Sequence, residues 1–291
     1  MAKHGLFVGL VTLDLVYLAN AAPSNNEKVV ALDYTVTAGG PATNAAVAFS
    51  HLGNQATLLG VVGNHPITHL IQADLGSYQI AIADLDPNQS EPPPVSSIII
   101  TKDTGDRAVI SLNATKAQIP IERIPADILQ GVDLVLVDGH LMEIGCAIAQ
   151  IAQAHNIPVV LDGGSWKPGM EKLLPFVDYA ICSSSFYPPN CHLPEDIIPD
   201  LCTFGISHVA ITNGEKPIQY FTTGNFGYLD VPKISVVDTL GAGDIFHGAF
   251  CHYILGQNLI DASRAAANIA AHSCQFFGTR QWMNTSSSYK S

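Results

Sequence analysis

The chain has 291 residues, 47% of them apolar and 13% charged, with a formal net charge of −12. That is enough apolar material for one large core. The acidic balance disfavours a nucleic-acid backbone as partner, yet a phosphate can still be held locally by amides and one or two cations. No apolar run reaches the length of a membrane span and no basic-then-apolar leader opens the sequence, so a cytoplasmic protein without a membrane partner is expected. Cysteines 146, 182, 191, 202, 251 and 274 show neither metal-ligand nor CxxC spacing and read as reduced core residues.

In chain order, the residues up to 8–11 read as a first buried strand, and 29–37 as a second extended stretch ending at Gly39-Gly40. A helix over 41–52 follows, with Pro41 at its first position, where the missing N–H costs nothing. A strand at 56–62 and a helix at 68–77 come next. Pro92-Pro93-Pro94 then introduces Ser97-Ile98-Ile99-Ile100-Thr101, a Thr104-Gly105-Asp106 turn and a strand near 108–112, which together make a hairpin. Strands near 134–137, 158–161, 179–182 and 208–212 alternate with helices near 141–154, 170–175 and 195–204, which predicts a parallel sheet covered on both faces. A second hairpin at 217–231 leads to a helix over about 243–256. Asp261 is expected to cap an Ala-rich helix running to about Phe276, and 285–291 is a polar tail expected to be disordered.

Two segments carry chemistry. In Asp238-Thr239-Leu240-Gly241-Ala242-Gly243-Asp244, a glycine turn feeds a helix whose Ile245, Phe246, Ala249, Phe250, Tyr253 and Ile254 form one core-facing stripe. The first amides of such a helix lack intrahelical partners and carry the positive end of its dipole, so they suit an anion. Asp244 stands among them. A carboxylate there repels the anion, but it can take a proton from a nucleophile attacking that anion. A lone Gly-x-Gly-Asp is equally the look of an Asp cap behind a glycine turn. In Gly39-Gly40-Pro41-Ala42-Thr43-Asn44-Ala45, two glycines let backbone approach a ligand and Asn44 offers a donor and an acceptor to hydroxyls; a tight turn with an incidental Asn looks the same. His247, one turn past Asp244, reads as a packed histidine rather than a catalytic one. Asp162-Gly163-Gly164-Ser165-Trp166 follows a strand end and is either a loop lining a phosphate cleft or a plain turn.

Residues 39–46, with Gly53 and Gly63 downstream, and residues 238–250 resemble the two signatures of the PfkB carbohydrate kinase (ribokinase) family, and the order of elements fits over nearly the whole chain. Gly9-Leu10-Val11-Thr12-Leu13-Asp14 is similar to the family's first strand, whose closing Asp binds substrate hydroxyls. With Asp238-Thr239-Leu240-Gly241 it looks most like the ketohexokinase branch. The resemblance implies a ribokinase-like three-layer α/β/α sandwich with a mostly parallel central sheet and a small β-sheet lid. One domain would span 1–284, with lid segments at about 15–38 and 95–113. It further implies transfer of the γ-phosphoryl group of ATP, with Mg²⁺, to a hydroxyl of a fructose- or ribose-like monosaccharide.

On that resemblance Asp244 is the general base, and Gly241, Ala242 and Gly243 form the catalytic anion hole. Asp14, Gly39, Gly40, Asn44 and Asn113 bind the sugar; Thr212, Asn213, Gly214 and Asn268 bind the nucleotide. Asp238 and Gly278 lie beside the monovalent cation, K⁺, that members often bind. Many members carry an Asn-x-x-Glu motif that organises the water shell of Mg²⁺; here the stretch reads Cys182-Ser183-Ser184-Ser185-Phe186-Tyr187, as motif-free as in ketohexokinase-like members. Pro41 stands where ketohexokinases often present a polar side chain. Lys167, Lys116 and Arg107 are candidates for a cation near the transferred phosphate, and each also reads as a solvated surface charge. A nucleoside kinase of the same superfamily and a catalytically silent sugar or nucleotide sensor are the alternatives. The hairpin around Ile98-Ile99-Ile100 is apolar on both faces, one to cover the sugar and the other for a partner, so a homodimer through the lids is expected.

Overall fold

Short apolar runs and amphipathic stretches alternate through the computed structural model, which describes residues 2–112 and 119–285. β1 (His4–Val8) passes through a three-residue link, bent at Gly9, into β2 (Thr12–Ala19), which pairs with β3 (Asp33–Gly39). Then come α1 (Pro41–His51), β4 (Gln55–Gly60), α2 (Thr68–Ser77), β5 (Ala81–Asp84) and the hairpin of β6 (Val95–Thr101) and β7 (Arg107–Ser111). Beyond it β8 (Leu134–Val137), α3 (Met142–Ala154), β9 (Val159–Gly163), α4 (Met170–Leu173), β10 (Tyr179–Ser183), α5 (Ile197–Thr203) and β11 (His208–Asn213) alternate. A hairpin of β12 (Lys216–Thr222) and β13 (Asn225–Leu229) precedes α6 (Ala242–Ile254) and α7 (Leu259–Ser273).

The larger sheet runs β13-β12-β11-β10-β9-β8-β1-β4-β5. It is parallel from β11 to β5 and antiparallel through β12 and β13. Successive side chains of a strand point to opposite faces. Phe7, Leu58 and Leu136 therefore join one core with Phe49 of α1, Phe250 of α6 and Ile269 of α7. Leu6, Leu59 and Val135 join the other with Ile148 of α3, Leu173 of α4 and Leu201 of α5. The three layers implied by the resemblance are present.

The smaller sheet runs β3-β2-β6-β7, with β2 and β6 parallel and the outer pairs antiparallel. Its inner face brings Val16, Ile98 and Ile100 onto Phe277 and Leu240. Ile98 and Ile100 are thus core residues of the lid, and only Ile99, opposite Tyr17, belongs to the outer face. The triple isoleucine therefore does not expose two apolar faces in a row, because strand alternation hides every second residue.

The structure corrects some boundaries. The first strand ends at Val8, not Val11, because the Asp138 carboxylate takes the Leu10 amide and turns the chain. The helix after residue 258 is capped by Asn258, whose side chain accepts from the Asp261 amide at 3.0 Å; Asp261 lies at its third position. β5, a four-residue edge strand, carries too little pattern to be read from sequence. The cysteines are free thiols. No helix among the described residues is long and apolar enough to cross a membrane.

Candidate active site

In the larger sheet the chain order reverses between β8 and β1, and a crevice opens beyond the carboxyl ends of strands at such a point. Asp138, just past β8 and 1% exposed, stitches this edge. Its carboxylate accepts from the amides of Leu10 (2.9 Å), His140 (2.9 Å) and Ala42, the last at 3.3 Å in the first turn of α1. A Cβ on Gly9 would collide with that carboxylate, which is why the β1 exit needs glycine.

Gly39 and Gly40 prove to make room for protein groups. A Cβ on Gly39 would strike the Asp14 carboxylate; one on Gly40, at φ 102°, would strike the Leu10 carbonyl. Asp14 itself is buried on the inner face of β2, where it accepts from the Thr12 hydroxyl at 2.7 Å. Burial raises its pKa, against the lowering influence of Thr12, Ser96 and Arg280.

At α6 the N-cap is Gly241, left-handed at φ 69°, with no side chain to offer the first turn. Gly248, four residues past Asp244, faces the Ala45 carbonyl so closely that any side chain would clash, so α1 and α6 approach backbone to backbone. That approach joins residues two hundred positions apart: the Asn44 amide nitrogen donates to Asp244 Oδ2 at 2.8 Å. Part of Asp244 is open to the cleft, yet burial of the carboxyl, reinforced by the charge of Asp162, pushes its pKa up to about 7 against Asn44 and His247. Desolvation dominates because an ionised carboxylate loses its water before it gains an equal partner. Such a group exchanges a proton near neutrality, as a general base must.

His247 is satisfied, as expected, with Nδ1 2.7 Å from the Gly243 carbonyl and Nε2 3.1 Å from that of Ile181. It also faces Asp162, 3.4 Å away, whose Oδ2 has no hydrogen-bond partner. Asp162 and Gly163 are thus the buried end of β9, with Asp162 behind His247, and not a free turn.

The decisive residue that sequence reasoning missed is Arg280. It lies past α7 and is 8% exposed. Nη1 donates to Asn44 Oδ1 and to the Thr279 hydroxyl, each at 2.9 Å; Nη2 donates to the Ala38 carbonyl (2.7 Å) and to Asp74 (3.2 Å). Both ends of the Asn44 amide are thus engaged, which leaves one amide hydrogen uncommitted. The same loop is pinned by Asp238, whose oxygens accept from the amides of Leu240 and Gly278 at 2.8 Å each. Its burial is explained by this stapling of the glycine turn to the 278–280 loop. A Cβ on Gly241 would press on Thr279, so the loop also shapes the turn.

The Thr212–Gly214 segment lies at the end of β11, with the Thr212 hydroxyl on the Cys182 carbonyl and Asn213 Oδ1 accepting from Ser184. A cavity of about 480 Å³ opens beside it, lined by Ser184, Tyr187, Asn213 and Gln219. Asn268 stands exposed on α7. A cavity of about 730 Å³ between α3 and α4, lined by Met142 and Lys172, includes none of these residues. Lys167 reaches the carbonyls of Asp138 and Ser165, and Arg107 that of Thr239 beside the glycine turn. Asn113 and Lys116 lie outside the described residues. Among those described, no cluster of three or more His, Cys, Asp or Glu could hold a metal ion.

A model of the pfkB family of carbohydrate kinases matches residues 3–285. A ribokinase of Lactococcus lactis is 27% identical over 289 residues, covering 95% of this chain and 92% of its own length. A deoxyribokinase of Salmonella typhi is 25% identical over 290 residues, covering 94% and 93%. The solved ribokinase of Thermotoga maritima superposes with a TM-score of 0.78 at 21% identity over 97% of this chain and 96% of that one, a likeness of fold. Both glycine signatures meet on one cleft and the family model spans nearly the whole length: the chain belongs to the pfkB family of carbohydrate kinases.

Proposed function

We propose that this kinase moves the γ-phosphoryl group of ATP to a hydroxyl of a ribose- or fructose-like monosaccharide, with Asp244 as general base. The observation that carries the reading is the Asp244 carboxyl at the open mouth of α6, held by Asn44 and poised to exchange a proton near pH 7. The names of the relatives, ribokinase and deoxyribokinase, support a pentose; the ketohexokinase-like look of the motifs is the reason to keep fructose.

Asp244 takes the proton of the acceptor hydroxyl as its oxygen bonds to the γ-phosphorus, the bond to the β–γ bridging oxygen breaks, and ADP leaves. The amides of 241–244 face the charge that gathers on the phosphoryl oxygens. Asp14, Gly39, Gly40 and the remaining Asn44 hydrogen orient the sugar, with Asn113 as a further contact. Thr212, Asn213, Gly214 and Asn268 serve the nucleotide, and the lid excludes water from the transfer. Mg²⁺, arriving with the nucleotide, would screen phosphate charge; among the described residues no cluster of three or more His, Cys, Asp or Glu would hold it directly. K⁺ beside Asp238 and Gly278 is a separate matter for assay.

The outer face of the lid carries Tyr17, Tyr34, Val36 and Ile110, the last 79% exposed. We propose that a second copy covers it, making a homodimer; a monomer in sedimentation at micromolar concentration overturns this. An ADP-release screen with Mg²⁺-ATP, with and without K⁺, across aldopentoses, deoxypentoses, ketoses and nucleosides tests the activity. Release with a sugar supports the reading. Release only with nucleosides, or with none, overturns it.

A further inference from the structure

The Asn44 amide lies between a donor-only group, the Arg280 guanidinium, and Asp244, whose ionised carboxylate only accepts. Left free, the amide could rotate and present its carbonyl to Asp244, which favours a protonated carboxylic acid and disables a base. With the guanidinium on its oxygen, only the N–H can reach Asp244.

Five further contacts fix Arg280: the Thr279 hydroxyl and carbonyl, the Ala38 carbonyl, Asp74 and the Tyr78 ring, 5.6 Å from the guanidinium carbon. Asp74 also accepts from the Ala38 amide at 3.0 Å, so it is itself anchored. The buried Nε meanwhile has no partner. The side chain leaves one donor unsatisfied while aiming Nη1 at Asn44, an orientation that packing alone does not require.

We infer that Arg280 is a positioning residue of the transfer, locking the Asn44 amide so that it stabilises the ionised form of Asp244. This rests on Asp244 being the base. The other groups facing Asp244 are Asp162 from β9, Asp14 from β2 and His247 from its own helix, and all of them remain in the variants below.

The test follows the Asp244 carboxyl carbon by NMR through pH in the substrate-free enzyme, alongside ADP release with ribose. In Arg280→Met the Asp244 midpoint should rise by roughly half a pH unit or more, and turnover should fall about tenfold or more with the KM for ATP nearly unchanged. Arg280→Lys should recover part of both. In an Asn44→Ala background Arg280→Met should add little further shift. An unmoved midpoint in folded Arg280→Met overturns the inference, as does a shift that persists in full without Asn44. If Arg280→Met does not fold, Arg280→Lys carries the test, with a raised midpoint expected and an unchanged one overturning the inference. Asp244→Asn separates the two readings. Full turnover there defeats the base and the relay with it; lost turnover beside an unmoved Arg280→Met midpoint defeats the relay alone.

Discussion

At α1 the first turn meets an anion that the chain supplies: Asp138 accepts from Ala42, and the glycines before the helix are filled by Asp14 and the Leu10 carbonyl. At α6 the same plan of glycine turn and helix is left open, since Gly241 brings no capping side chain and Gly243 is exposed. Both mouths have the positive end of a helix dipole and orphan amides. The filled one is a support beneath Asn44, whereas at the open one no side chain caps the first turn and the Ala242 amide reaches only the Thr239 carbonyl, at 3.3 Å. A glycine turn before a helix is therefore only half of an anion site; what matters is whether a carboxylate of the protein already accepts from the helix's first amides, as Asp138 does at α1.

The comparison breaks most visibly at Asp244. Asp244→Asn should lower kcat by about 10²–10⁴-fold or more while sugar binding persists, as stopped-flow or coupled assays with calorimetric binding would read. In the unmodified enzyme kcat/KM should rise with pH through about 7, following ionisation of that carboxyl. The same substitution should stabilise the fold. The native carboxyl holds its proton up to about pH 7, whereas an unfolded one releases it near pH 4, so the native state binds more protons in that window and stability falls as pH rises through it. Urea unfolding of Asp244→Asn should then show a gain on the order of a few kcal/mol at pH 8 that fades below about pH 4.

At the filled mouth the sign reverses. Asp138→Asn puts an amide where three backbone N–H groups need an acceptor and should cost about 1–3 kcal/mol in the same titration. The smallest effect belongs to a third mouth, α7, closed by one neutral cap: Asn258→Ala should cost about 1 kcal/mol with turnover intact.

The sequence disclosed both mouths because each is a local pattern, a glycine turn followed by a periodic apolar stripe, and the strand–helix alternation because each core run repeats at its own period. Asp244, Asn44 and Asp14 could be proposed from it, and the fold brings Asn44 into contact with Asp244. It did not disclose Arg280 or Asp138. An arginine after Gly278-Thr279, or an aspartate after an apolar strand, has no periodicity that marks it as buried, and each gains its meaning from partners over ninety residues away. The sequence marks Gly39 and Gly40 as places where backbone can approach a ligand; in the structure the room a Cβ would take is filled by Asp14 and the Leu10 carbonyl. β2 is obscured because the chain only bends at Gly9 on its way from one sheet to the other, with no Pro or Asn to announce the break.

The link between Asn44 and Arg280 spans 236 positions. A chain emerging from the ribosome can complete α1 early, with Asn44 in place, but it has no fixed amide to present until residue 280 has been made and the loop after α7 has docked. The contact that fixes the Asn44 amide against Asp244 needs residue 280 in place, as the lid core needs Phe277, and the long loop closure involved places both late in folding.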